Sequence, residues 1–154
     1  MFKKLMLVIG FIMVIDAATA QESPEQLAKD YVAAVAAKDL EAVKAVYTKK
    51  VDSFLSEGGI ATSQEAIAVA WEKLFRAYDN IQMYTREAGS FGNENMRTSW
   101  GNWGMTAINI NNKKSVEWKG TYMDLSIKTK DGWKYRADLA PVRTFTEADI
   151  VLEK

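Results

Sequence analysis

The chain has 154 residues, its 20 lysines and arginines are matched by 20 aspartates and glutamates, and it contains neither histidine nor cysteine. That balance offers no electrostatic handle for nucleic acid or anionic lipid. Without histidine there is no Ser-His-Asp relay, no histidine-based metal site and no ordinary neutral-pH proton shuttle, and without cysteine no thiol chemistry. Any catalysis falls to carboxylates, tyrosine, lysine, arginine or water, and neither a metal nor a cofactor is expected.

Residues 1–20 read as a signal peptide. Lys3 and Lys4 precede an apolar run from Leu5 to Ile15, and Ala18-Thr19-Ala20 is a small-x-small cleavage pattern before Gln21. The run falls short of the ~20 apolar residues of a spanning helix. No cysteine marks a lipidation point there. The expected mature protein is periplasmic or secreted, with no membrane association after cleavage. Its single domain runs over 21–141, followed by a tail, 142–154.

Ser23-Pro24-Glu25-Gln26 opens the first predicted helix, with Ser23 as cap and Pro24 at the first helical position. Leu27, Tyr31 and Val35 form its apolar stripe. Asp39 caps a second helix carrying Leu40, Val43, Val46 and Tyr47. Val51 to Leu55 reads as a short strand ending at Ser56-Glu57-Gly58-Gly59. A third helix starts at Thr62, with Ile67, Trp71, Leu74, Phe75 and Tyr78 on one face.

After Asn80 the period changes from helical to alternating. Ile81 to Arg86 is a predicted strand, and Gly89 to Asn95 a turn. Arg97 to Ile110 is a long strand with Gly101 and Gly104 inside it, places where a sheet can bend. Asn111 to Lys114 turns it into Val116 to Lys128, and Asp131-Gly132 joins that strand to Trp133–Leu139. Asp-Gly between alternating runs predicts a type I′ hairpin.

Helix, helix, strand, helix and then long antiparallel strands resemble the nuclear transport factor 2-like superfamily, the cystatin-like α+β roll. Three stretches carry the resemblance: Ala37-Lys38-Asp39-Leu40-Glu41-Ala42-Val43 leading to Tyr47, the capped third helix holding Trp71, and Lys130-Asp131-Gly132-Trp133-Lys134 ending in Ala137-Asp138. The last resembles the SnoaL-like, ketosteroid-isomerase-related branch, in which many exported members have no assigned function. The resemblance implies three N-terminal helices packed on a strongly curved, mainly antiparallel sheet that forms a cone-shaped pocket. It also implies homodimerisation through the convex sheet face.

Laid over a ketosteroid isomerase, Tyr31 falls at the oxyanion-hole tyrosine and Asp124 near the protonated aspartate that supplies the second donor. The general-base position falls at about Leu55, so Asp52 or Glu57 serves only with a shifted register. The epoxide-hydrolase branch needs an arginine where this chain has Tyr122, and the dehydratase branch relies on histidine.

Each candidate also has a purely structural reading. Tyr31 shares a core stripe with Leu27 and Val35. Asp124 has the strand parity of Trp118, Gly120 and Tyr122, which points it into the pocket, where a buried carboxylate needs a partner. Asp138 alternates with Lys134 and Arg136, which predicts a solvated face. Trp100 and Trp103 have opposite parity, so only one faces inward. The expected ligand-binding set is Tyr31, Trp71, Trp118, Tyr122 and Asp124, around a small, partly apolar molecule. A binding module, a carboxylate-dependent isomerase or lyase, and a dimerising scaffold all fit these residues. The missing base ranks binding first.

Overall fold

A computed structural model of the chain describes residues 21–55 and 58–142. The predicted signal peptide, Glu57 and the tail beyond Val142 lie outside the described residues.

Local chemistry sets the helix ends. Helix α1 (Pro24–Ala37) begins where the Ser23 hydroxyl accepts from the Gln26 amide, with Pro24 in the first turn. It ends at Lys38, whose left-handed φ of 58° lets its amide reach the carbonyls of Ala34 and Val35. Helix α2 (Leu40–Ala45) is capped by Asp39, and α3 (Gln64–Ala77) by Ser63. Leu27, Val35, Val43 and Ile67 are buried on the faces these helices turn toward the sheet and one another.

Six strands form one sheet: β1 (Tyr47–Phe54), β2 (Ile60–Ser63), β3 (Tyr78–Gly92), β4 (Met96–Asn109), β5 (Ser115–Thr129) and β6 (Gly132–Leu139). Their spatial order is β2-β1-β6-β5-β4-β3. All neighbours are antiparallel except β1 and β6, which run parallel. This is the expected α+β architecture: N-terminal helices on one face of a curved, unclosed, mostly antiparallel sheet. Among the described residues no helix is long and apolar enough to cross a membrane.

Several local expectations are corrected. Tyr47 begins β1 rather than ending the second helix, because α2 stops at Ala45 after six residues. Strand β2 takes in Thr62 and Ser63, where the sequence placed the start of the third helix, and α3 begins only at Gln64. β3 runs on to Gly92, through part of the expected turn. The β5–β6 turn is not type I′: Asp131 lacks positive φ, and only Gly132 has it, at 93°. Thr129 closes the turn, its hydroxyl accepting from the Asp131 amide and donating to the Gly132 carbonyl. A type I turn followed by a left-handed glycine fits this pattern.

The two tryptophans of β4 point to opposite faces of the sheet. Trp103 faces the helices and is 7% exposed, while Trp100 lies on the outer face at 40%. A Cβ on Gly89 would stand 2.6 Å from the Trp100 ring, so that glycine makes room for it.

Candidate functional site

Beneath α1, the inner sheet face gathers tyrosines and two aspartates. Tyr31 descends from α1 because the Leu27–Val35 stripe turns that face inward. Its ring meets Tyr47 edge-on at 6.0 Å, Tyr135 at 5.9 Å and Trp71 at 6.0 Å. Tyr47 and Tyr135 are themselves 5.6 Å apart, opposite one another in the parallel β1–β6 register.

Asp124 of β5 stands directly opposite Asp138 of β6. Directly opposed residues on antiparallel strands have Cβ atoms only ~4.5–5.5 Å apart. The Tyr47 hydroxyl donates to Asp138 Oδ2 at 3.0 Å, and Ser53 faces Asp138 from β1. The other oxygen of Asp138, Oδ1, is buried with no hydrogen-bond partner. Among the described residues none gives the Asp124 carboxylate a hydrogen bond or an ion pair.

Burial, then the adjacent Asp138, holds the Asp124 carboxyl well above the usual carboxylate range. Burial raises Asp138 too, against the hydrogen bonds of Ser53 and Tyr47, which pull it down. Burial also lifts the phenols of Tyr31, Tyr47 and Tyr135, with the nearby carboxylates adding to the rise. Tyr122 is pushed up to about 12, by burial first and Asp124 second. The phenols therefore stay neutral, and two carboxyls a strand apart favour sharing one proton over ionising together.

A cleft of about 510 Å³ opens onto this cluster. Ala28, Val32, Ala33 and Ala36 of α1 form one wall, their short side chains leaving the space open. Ser99, Tyr122, Asp124, Ser126 and Tyr135 form the floor, and Met83, Thr85 and Glu87 the far lip. Arg97 ties the cleft across one end, pairing with Glu25 of α1 and, at 2.8 Å, with Glu87 of β3.

Of the residues the sequence singled out, Tyr122 and Asp124 line the cleft. Tyr31 and Trp71 sit together in the aromatic layer packed against the core. Trp118 packs edge-on against Tyr78 at 5.0 Å. Asp52 pairs with Arg136 at 2.7 Å, opposite Ala137, while the next residue, Ser53, faces Asp138. Leu55, at the place of a general base, packs against the core. Among the described residues no group of acidic side chains is arranged to hold a metal ion.

Asp138 is a correction. Alternation with Lys134 and Arg136 predicted a solvated face, but β6 carries a bulge: Leu125 opposes Ala137 while Ser126 opposes Tyr135. Arg136 is the extra residue, so Tyr135 and Asp138, three apart, both face inward. Tyr47, Tyr135 and Asp138 are the members of the cluster that sequence reasoning missed.

No family model matches the sequence, and no curated protein matches it. Solved structures do resemble it. A conserved protein from Planctomyces limnophilus superposes with a TM-score of 0.71 at 14% identity, over 79% of this chain and 94% of that one. A ketosteroid isomerase-like protein from Erwinia carotovora atroseptica gives 0.69 at 15% identity, over 79% and 94%. A nuclear transport factor 2-like superfamily protein from Salmonella enterica serovar Typhimurium gives 0.67 at 13%, over 79% and 91%. At such identities the likeness speaks for the fold alone. With its helices laid over a curved six-stranded sheet and a cleft between them, the chain has the nuclear transport factor 2-like fold.

Proposed function

We propose that this is an exported domain that binds a small, partly apolar molecule in the cleft between α1 and the inner sheet face. The observation that carries this reading is Asp124, a partly buried carboxyl without a side-chain partner at the floor of an open cleft. Ligand sites combine apolar walls with a few convergent polar groups that fix orientation. Here alanines, Val32 and tyrosine rings supply the walls, and Asp124, with Asp138 behind it on β6, the polar group. A fragment screen followed by NMR tests it: hits are expected to shift Tyr122 and Tyr135 signals. Hits confined to other surfaces would refute it.

The opposed pair Asp124 and Asp138 also supports a second reading, a carboxylate-dependent isomerase or lyase. Two coupled carboxyls can offer a proton donor and an acceptor at one point. Ketosteroid isomerase chemistry is disfavoured because Leu55 stands where its base belongs. Turnover of a Δ5-3-ketosteroid that disappears on Asp138→Asn would promote the enzyme reading over the binding one.

The outer sheet face supports a proposed homodimer. Ile60, Phe54, Leu139, Met123 and Trp100 lie in one row of directly paired residues from β2 across to β4, and each is 40–53% exposed.

A further inference from the structure

Resting on the reading of the cleft as a small-molecule site, we infer that its ligand is an organic cation. The class is an amine or quaternary ammonium on a partly apolar body, its charge held at the Asp124–Asp138 pair among the tyrosines. Two carboxyls oppose each other across β5 and β6, Asp138 Oδ1 is buried without a partner, and Asp124 opens on the cleft with none. Neither is ion-paired among the described residues: Lys29 lines the cleft without bonding to either, and three other basic groups are engaged elsewhere. Arg97 is held by Glu25 and Glu87, Arg136 by Asp52, and the Lys134 ammonium by the Gln21 side chain and the Ala45 carbonyl.

A desolvated carboxyl without a partner is costly, and the fold sets Asp124 beside Asp138, whose own support includes the Tyr47 hydroxyl. A ligand that brings the missing positive charge removes that cost. Aromatic rings around an acidic floor add to the attraction, since a cation within about 6 Å of a tyrosine face is drawn to its π-system. An anion meets the opposite field at the floor, where the two carboxyls stand. A neutral hydrogen-bond acceptor is the remaining rival, and it needs Asp124 protonated.

The rivals differ in the sign of their pH dependence. Cation binding needs at least one ionised carboxyl, so it weakens as pH falls through the raised Asp124 range. Binding of a neutral acceptor strengthens over the same fall. The other groups facing the pair are the phenols of Tyr31, Tyr47, Tyr122 and Tyr135, all raised and neutral throughout. At the cleft edges stand Lys29, Glu87 and Glu25, the two glutamates paired with Arg97, and Glu25 is lowered by its hydrogen bonds to the backbone and Ser23.

The experiment titrates benzyltrimethylammonium, whose charge is fixed at every pH, against its uncharged carbon isostere neopentylbenzene, reading tyrosine and tryptophan fluorescence. The cation is expected to bind at least about tenfold more tightly. It should lose affinity as pH is lowered and lose about tenfold on Asp124→Asn, with thermal melting confirming that the variant folds. The pH series on the unsubstituted protein decides the matter if the variant does not fold. Equal or tighter binding of neopentylbenzene, or affinity that rises as pH falls, overturns the cation assignment and leaves the cleft reading standing. Failure of both probes to bind also overturns it, and the fragment screen then judges the cleft on its own.

Discussion

Asp124 is a residue whose burial works against stability, and the sign follows from linkage. Its folded pKa lies above the unfolded value of about 3.9, so between the two the native state binds more protons. This group's contribution therefore falls as pH rises through that window, and the penalty is fully present above the folded pKa. Asp124→Asn removes the charge and its repulsion with Asp138. We expect it to raise stability at neutral pH by about 1–3 kcal/mol and to flatten the pH dependence, measured by urea unfolding across the acid range. An unchanged midpoint at pH 7 would count against an uncompensated buried carboxyl. Tyr47→Phe should act the other way. It removes the hydroxyl that donates to Asp138 Oδ2, leaving both oxygens of that carboxyl with less support. A loss of about 1–2 kcal/mol is expected at neutral pH, shrinking in acid where Asp138 is protonated. A loss that stays constant with pH would place the effect in packing alone.

Among the elements, those whose signals are local were legible and those assembled from distant strands were not. Ser23, Asp39 and the helical stripe through Trp71 announced three helices, and the Gly132 turn announced the β5–β6 hairpin. Strand parity placed Tyr122 and Asp124 on the cleft side and separated Trp100 from Trp103. Tyr47 looked helical because it continues the Leu40–Val43 spacing, and only its pairing with Tyr135, far along the chain, makes it a strand residue. Asp138 was misread because a bulge breaks alternation, and nothing in Tyr135-Arg136-Ala137 advertises it. The acid pair thus depends on two long-range registers that no local pattern encodes. The glycines of β4 give this scale its own test. A Cβ on Gly101 would lie 2.0 Å from the Arg86 carbonyl oxygen, backbone of the adjacent strand that cannot swing aside. Gly101→Ala should cost about 1–3 kcal/mol in thermal or urea unfolding, because β3 must shift to admit one methyl group. A neutral substitution would mean the β3–β4 ladder yields there freely.

At the level of the fold, the two faces of the sheet differ in what covers them. The inner face meets the helices and opens into the acidic cleft. The outer face carries the row from Ile60 through Phe54, Leu139 and Met123 to Trp100, ending at Gly89, which seats the Trp100 ring. Scattered exposed apolar residues are ordinary, but a continuous row across five of the six strands is not. Alongside it lie Leu125 and Ala137, aligned across β5 and β6, while Thr121 and Asn102 flank its other side. No charged residue interrupts the row. A two-fold axis parallel to the sheet, lying just outside its outer face beside Met123, would lay one such row across another, the self-complementary geometry of an isologous dimer. Met123→Lys on each copy would place a charge at the middle of that contact. We expect sedimentation equilibrium to show a dimer for the unsubstituted protein and a dissociation constant raised more than about tenfold for Met123→Lys. Lys119→Met, on the same strand and face but outside the row, should leave it unchanged. If the unsubstituted protein sediments as a monomer at high micromolar concentration, this face does not pair with itself. The cleft should be indifferent to the outcome, because Asp124 and Met123 are neighbours in sequence that point to opposite faces of β5. A cation probe that binds the dimer and the Met123→Lys protein equally would show that the two surfaces work independently.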